Sequence, residues 1–221
     1  NMKTNLDLKS ITDLKPGDHS CLIYQTDDEH KEVIVQYIRQ GLEQNQKVLY
    51  IIDARTEEII LNYLKDDGIE TAQYIKSGQI RILEIADSYM KTGELNPDKM
   101  IVLLKESEEK AIEEGFSGLR VTGEMSWVLK GFKGSEKLIE YEAKLNRFFP
   151  GSKCIGICQY DMRKFSSDIL IQVLETHPEI FNGNKLYHNH YYLNPDEFLS
   201  DKREDAILKQ WLQSLETTRT R

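Results

Sequence analysis

Two acidic residues that follow apolar runs, Asp53 and Glu124, stand where a nucleotide hydrolase keeps a water-activating or magnesium-binding carboxylate. Such an acid needs a phosphate to act on. Holding that phosphate takes glycines whose backbone N–H groups converge, a lysine for the β- and γ-phosphates, and a serine or threonine for magnesium. The stretch from Pro16 to Gly41 has the layout to carry such a loop, but its corner has the wrong chemistry. Between the apolar run Cys21-Leu22-Ile23-Tyr24 and a helical pattern, the corner reads Gln25-Thr26-Asp27-Asp28-Glu29, without glycine or lysine. Thr26 and Glu29 have capping-box spacing, each side chain reaching the other's backbone N–H. The positive helix end is then met by the protein's own oxygens, and the carboxylates would repel a triphosphate. Hydrolysis by Glu124 or Asp53 is not expected.

Imidazoles and thiols are the other groups with reactive spacing. His19 and Cys21 lie two apart and share one face of a strand, as do Cys154 and Cys158, four apart. Were the two strands neighbours, these four residues would supply a soft-metal site. The spacing is not that of a zinc knuckle, and buried free cysteines are common in central strands, so packed thiols and no metal or other cofactor are the expectation. His188-Asn189-His190 before Tyr191-Tyr192 reads as a surface strand, and His177 before Pro178 as a helix terminator with its imidazole near the negative helix end. No Ser/His/Asp arrangement or carboxylate pair points to hydrolytic chemistry.

The elements that must position these groups are legible from periodicity. Val33, Ile34, Tyr37, Ile38 and Leu42 make one face of a helix after the acidic corner. Residues 46–53, 80–85, 119–122 and 154–160 are apolar runs of the kind buried on both faces of a parallel sheet. Helices between them open at Thr56, at Asn96-Pro97, at Gly134-Ser135 and after Phe165, and stop at Gly68, Gly115, Pro150-Gly151 and His177-Pro178. Five strands alternating with helices imply right-handed crossovers and a mostly parallel sheet covered on both faces. Residues 180–193 add a hairpin turning at Asn182-Gly183, and Asn194-Pro195 opens a final helix carrying Ile207, Leu208, Trp211, Leu212 and Leu215. That tail either packs on the domain or connects it to a further module. Residues 1–195 form the domain and 196–221 the helical appendage in this reading, and Asn1 before Met2 reads as a tag remnant.

The 221 residues suit one sizeable core, with 39% hydrophobic and 30% charged side chains. No apolar run approaches the length of a membrane helix, about 20 residues, and no secretory leader opens the chain. A net charge of -8 without a basic run argues against a nucleic-acid surface. Three cysteines, Cys21, Cys154 and Cys158, cannot all pair and suggest reduced thiols in a cytoplasmic protein.

The chain resembles the MEDS family, the methanogen/methylotroph DcmR-type sensory domains. The resemblance rests on Gly17-Asp18-His19-Ser20-Cys21 with Tyr24, Gly41-Leu42, and Gly123-Glu124-Met125-Ser126-Trp127. It continues through Tyr141-Glu142 with Leu145-Asn146, Cys158-Gln159-Tyr160-Asp161 with Phe165, Thr176-His177-Pro178, and Tyr191-Tyr192 with Glu197-Phe198. It implies an α/β, three-layer, RecA/KaiC-like fold with a degenerate P-loop. It also implies a small-molecule sensor, perceiving hydrocarbon derivatives, that controls a histidine kinase or DNA-binding regulator. Neither output signature is visible here.

Ligands of open parallel sheets bind beyond the carboxyl ends of the strands, and by analogy with RecA-like proteins the strands ending at Tyr24, Thr122 and Gln159 are neighbours. The expected rim is an aromatic wall of Tyr24, Trp127 and Tyr160 with Gln25, Thr26, Asp53, Arg55, Glu124, Ser126, Asp161 and Arg163 as directing polar groups, suited to a small, partly apolar molecule. The bland alternative is that the aromatics close the sheet edge while Asp161 and Arg163 pair with each other. The residues together favour a non-enzymatic, ligand-sensing regulatory domain, compatible with a homodimer, in which Trp127→Ala weakens the response without unfolding. Its rivals are a divergent RecA-like ATPase and a non-liganded oligomerisation module.

Overall fold

The computed structural model describes residues 8–218; the junction of Asn1 and Met2 lies outside them. Its strands are β1 (Leu8–Lys9), β2 (His19–Tyr24), β3 (Lys47–Ile52), β4 (Ile80–Glu84), β5 (Leu119–Glu124), β6 (Cys154–Asp161), β7 (Glu179–Asn182) and β8 (Lys185–His188). Its helices are α1 (Asp27–Glu43), α2 (Glu57–Asp66), α3 (Thr71–Lys76), α4 (Pro97–Glu113), α5 (Leu138–Phe148), α6 (Ser167–Thr176), α7 (Pro195–Phe198) and α8 (Arg203–Thr218). The strands form one sheet in the order β1-β8-β7-β2-β6-β5-β3-β4. From β7 to β4 every pairing is parallel, and the β7–β8 hairpin and β1 add an antiparallel margin.

The period of two along each strand divides the core into two layers. Val48 and Tyr50 of β3, Leu22 and Tyr24 of β2, and Ile155 and Ile157 of β6 pack with α1 and α2. Ile51, Cys21, Cys154, Cys158 and Tyr160 face the other way, against α4, α5 and α6. Both faces are covered, which is why these strands read as continuous apolar runs. Close approach is built in at Gly41, where a Cβ would lie 2.6 Å from Arg120 Cδ. The buried Arg120 side chain of β5 donates instead to Gln46 and to the Tyr37 carbonyl, beneath α1.

Three sequence expectations need adjusting. The helix expected from Gly134 begins as a 3-10 turn at Ser135–Lys137 and becomes α5 only at Leu138. Gly134 has φ +86°, and a Cβ there would meet the Leu95 carbonyl oxygen at 2.4 Å, so the chain turns sharply before it can wind. The hairpin forms, with Gly183 at φ +60°, but its loop is Gly183-Asn184, one residue later than expected. The final helix is two helices. Asn194 caps only the short α7, whose Phe198 is anchored beside Ala143 and Leu193, and the chain re-turns at Ser200 before α8 starts.

Candidate functional site

The carboxyl ends of β2, β6, β5 and β3 lie side by side, as expected for strands ending near Tyr24, Gln159 and Thr122. At the end of β5 the buried Glu124 is wrapped by the loop from β3 to α2. Its Oε2 accepts from the backbone N–H groups of Asp53 (2.7 Å), Ala54 and Arg55 (3.0 Å), and its Oε1 lies 3.2 Å from an Arg55 guanidinium nitrogen. Every one of these donors comes from the protein, so the Glu124 carboxylate is held in place by charge-assisted bonds. Arg55, 9% exposed, also donates to the Tyr24 hydroxyl at 3.2 Å and to Asp27 Oδ1 at 2.8 Å. The same Asp27 oxygen accepts from Arg163 at 2.9 Å, and Arg163 makes a two-pronged pair with Asp161 at 2.8 Å on each arm. A chain of alternating charge, Glu124–Arg55–Asp27–Arg163–Asp161, therefore runs across the strand ends. Tyr24 lies under it, its ring 5.4 Å from the Arg55 guanidinium carbon and 6.0 Å from that of Arg163.

The electrostatics follow from these pairs. Burial alone would push the Asp161 carboxyl up, but the bonds from Arg163 hold it below the usual range. Arg163 is also the first cause holding the exposed Asp27 down. Beside this chain, Asp53 accepts from the Ser126 hydroxyl at 2.7 Å and pairs with Lys130.

The acidic corner behaves as its spacing predicts. Thr26 Oγ1 accepts from Glu29 N–H at 3.2 Å, while Glu29 Oε2 accepts from the N–H groups of Thr26 (3.2 Å) and Gln25 (2.7 Å). Gln25 and Thr26 are exposed, with those donors already in use. Tyr24, Asp53, Arg55, Glu124, Ser126, Asp161 and Arg163 are thus brought together.

Trp127 and Tyr160 are not, and the aromatic wall does not form. Tyr160 shares a strand face with Cys154 and Cys158, so it points away from Tyr24 and donates to Glu142 under α5. Trp127 is 0% exposed and stacks 5.0 Å from Tyr89 in the same layer. Trp127→Ala would open a core cavity, so it cannot probe a rim site. Asp27 and Lys130 were missed as site residues, because nothing in their spacing says that Arg55, Arg163 and Asp53 arrive beside them.

A groove of about 920 Å³ adjoins the charged chain at the ends of β3 and β4. Asp53, Arg55 and Lys130 give it a polar wall, and Ile82, Ile85 and Phe132 an apolar one. A smaller hollow of about 370 Å³, between residues 88–94 and α4, has an apolar floor of Tyr89, Met100 and Leu103 and lies away from the charge chain. Among the sequence-suggested metal ligands, His19 and Cys158 do converge, but with Glu142 and His177; Cys21 and Cys154 stay outside that group. His188 and His190 sit at the surface, ring centroids 5.6 Å apart.

The family model for the methanogen/methylotroph, DcmR sensory domain (MEDS) matches residues 18–178. The transcriptional repressor DcmR of Methylorubrum extorquens is 27% identical over 173 residues, which cover 76% of this chain and 61% of the repressor. The chain therefore spans less than two thirds of that relative's length. A KaiC-like protein from the archaeon Pyrococcus horikoshii OT3 has a crystal structure matching with a TM-score of 0.51 at 14% identity, covering 75% of this chain and 70% of that one. The fold is thus RecA/KaiC-like. Among the described residues, no helix is long and apolar enough to cross a membrane.

Proposed function

The chain belongs to the MEDS sensory-domain family, and from that premise we propose that it is a regulatory domain that binds a small, partly apolar molecule in the groove beside the β3 and β4 ends. The observation that carries this reading is the double position of Arg55. It lines the groove and is also the link through which the β3–α2 loop holds Asp27 at the start of α1. A ligand whose acceptor group engages Arg55 competes with Asp27 and Glu124. Binding then shifts the balance between a latched and a released α1 terminus, in proportion to the ligand's preference for one state. The apolar wall of Ile82, Ile85 and Phe132 supplies affinity, and the polar wall supplies orientation. The protein binds and relays in this reading; it does not catalyse.

The signal leaves through α8. Its inner residues Ala206 and Ile207 pack near α7, while Leu208, Trp211, Leu212 and Leu215 stay exposed, which favours a connector over a fully packed tail. The output is a transcription-regulating module, in keeping with the repressor relative, or a histidine kinase, as the family resemblance implies, and a homodimer through this helix is consistent with the stripe.

The test is a thermal-shift screen of small, partly apolar carboxylates, carbonyl compounds and alcohols, followed by calorimetry of any hit on Phe132→Ala. Phe132 is 40% exposed, so its loss leaves the fold intact and should weaken binding about tenfold. Hits that bind the variant as tightly as the parent would remove the groove from consideration.

A further inference from the structure

On the opposite face of the sheet, His19 at the start of β2, Cys158 in β6, Glu142 in α5 and His177 at the end of α6 present four ligand atoms within 4.8 Å of one another, all buried. The four residues come from four different elements, so their meeting belongs to the tertiary fold. From this convergence we propose that the domain holds a divalent transition metal, of the zinc class, bound by His19 Nε2, His177 Nε2, Cys158 Sγ and Glu142 Oε2.

The hydrogen bonds around the cluster decide which atoms carry lone pairs. His177 Nδ1 lies 2.8 Å from the Val173 carbonyl, which only accepts, so Nδ1 bears the hydrogen. Asn146 donates its amide to the carbonyls of Glu142 (3.2 Å) and Thr176 (2.6 Å), which orients its Oδ1 towards His19 Nδ1 at 3.0 Å. His19 therefore also carries its hydrogen on Nδ1. Both Nε2 atoms are left as lone pairs aimed inward, with the opposite nitrogen fixed by an outer acceptor, which is how metal-binding histidines are oriented. The His19 ring is held further by stacking on Phe149 at 4.9 Å. Gly156 makes the room, since a Cβ there would lie 2.3 Å from the Phe149 ring.

Four of the six distances between the ligand atoms are those of a coordination shell. Glu142 Oε2 lies 3.4 Å from His19 Nε2, 3.2 Å from His177 Nε2 and 3.3 Å from Cys158 Sγ, and that sulfur is 3.6 Å from His19 Nε2. A tetrahedron with metal bonds of about 2.0–2.1 Å to N and O and about 2.3 Å to S has edges of roughly 3.3–3.6 Å. His177 Nε2 makes no hydrogen bond, so it is open to a cation held between it and the Glu142 carboxylate. Glu142 Oε1 accepts from the Tyr160 hydroxyl, which leaves Oε2 for the centre.

Charge balance agrees. On binding, the cation displaces the proton from the Cys158 thiol to solvent and forms the metal–thiolate bond. Two anionic and two neutral ligands then neutralise a divalent ion, giving a buried centre with no net charge. The shell has no open position, so this is a site that binds β2, β6, α5 and α6 together and not one that activates water.

The test is elemental analysis of the purified chain, then removal of metal with a chelator and titration with cobalt(II). About one equivalent of metal per chain, together with tetrahedral d–d bands and a thiolate-to-cobalt charge-transfer band in the near ultraviolet, is the expected result. Cys158→Ser should lose the charge-transfer band, and Cys154→Ser, outside the cluster, should keep it. Should Cys158→Ser fail to fold, the parent spectrum still decides. No cobalt band and no zinc-dependent rise in melting temperature in the parent would overturn the site, as would a charge-transfer band that survives in folded Cys158→Ser. None of these readouts involves the groove, so the two assignments stand or fall separately.

Discussion

At the scale of single residues, Glu124 is engaged throughout by the protein's own donors. Its position after an apolar strand invites a catalytic reading, yet three backbone N–H groups and Arg55 saturate it. Glu124→Gln keeps the shape and removes the charge that balances the buried Arg55. Since Arg55 retains Asp27, the expected cost is about 3 kcal/mol in urea unfolding, the lower end for a broken buried pair. His30, 0% exposed and 2.7 Å from Gln159 Oε1, offers a pH-dependent counterpart. Burial first, and Arg55 second, push its imidazole down to about 3 from an ordinary 6.5. The folded ring stays neutral where the unfolded chain already takes up a proton. Its contribution to stability is complete above pH 6.5 and falls as the pH drops towards 3, by up to about 1.4 kcal/mol per pH unit. His30→Gln should flatten that part of the stability–pH curve, and a curve unchanged in slope would contradict the neutral ring.

At the scale of elements, the junction of β2 and α1 and the tail α8 carry opposite lessons. The junction is locally self-sufficient, because its cap, its acids and its strand end are contiguous in sequence. In α8 the apolar face turns outward, with Trp211 59% and Leu215 64% exposed. If that face serves a connector, it contributes little to the domain itself. Leu212→Lys should therefore leave the unfolding free energy within about 0.5 kcal/mol of the parent. A loss of several times that amount, read by the same urea titration, would mean that the helix is packed on the domain in solution.

At the scale of the molecule, the RecA/KaiC-like sheet carries ion pairs across its strand ends and a buried His/Cys/Glu cluster on one face. The strand-end edge that would seat a nucleotide is crossed by the protein's own ion pairs, and the groove is displaced towards β3 and β4. Calorimetry with ATP and magnesium at millimolar concentration should accordingly give no binding heat. Saturable heat would revive the ATPase reading and dismiss the acidic corner as a barrier.

By itself the sequence determined the local features. Continuous apolar runs located the strands, helical spacing and caps located α1, α2 and α4, and the residues of the corner declared that no phosphate loop was present. These follow from interactions within a few residues of each other, which a linear pattern records. What only the tertiary structure decided is which face each strand turns to which helix. A period of two says that Tyr160 and Cys158 share a side, but not that the side is α5's, and so it could not take Tyr160 and Trp127 out of the rim. Nor could it bring Asp27 between two arginines, or Glu142 and His177 onto His19 and Cys158. His19, Glu142, Cys158 and His177 all lay within motifs that carried the family resemblance, but their meeting needs the β2–β6 pairing and the α5 and α6 crossovers, contacts between segments whose order in space no local pattern encodes.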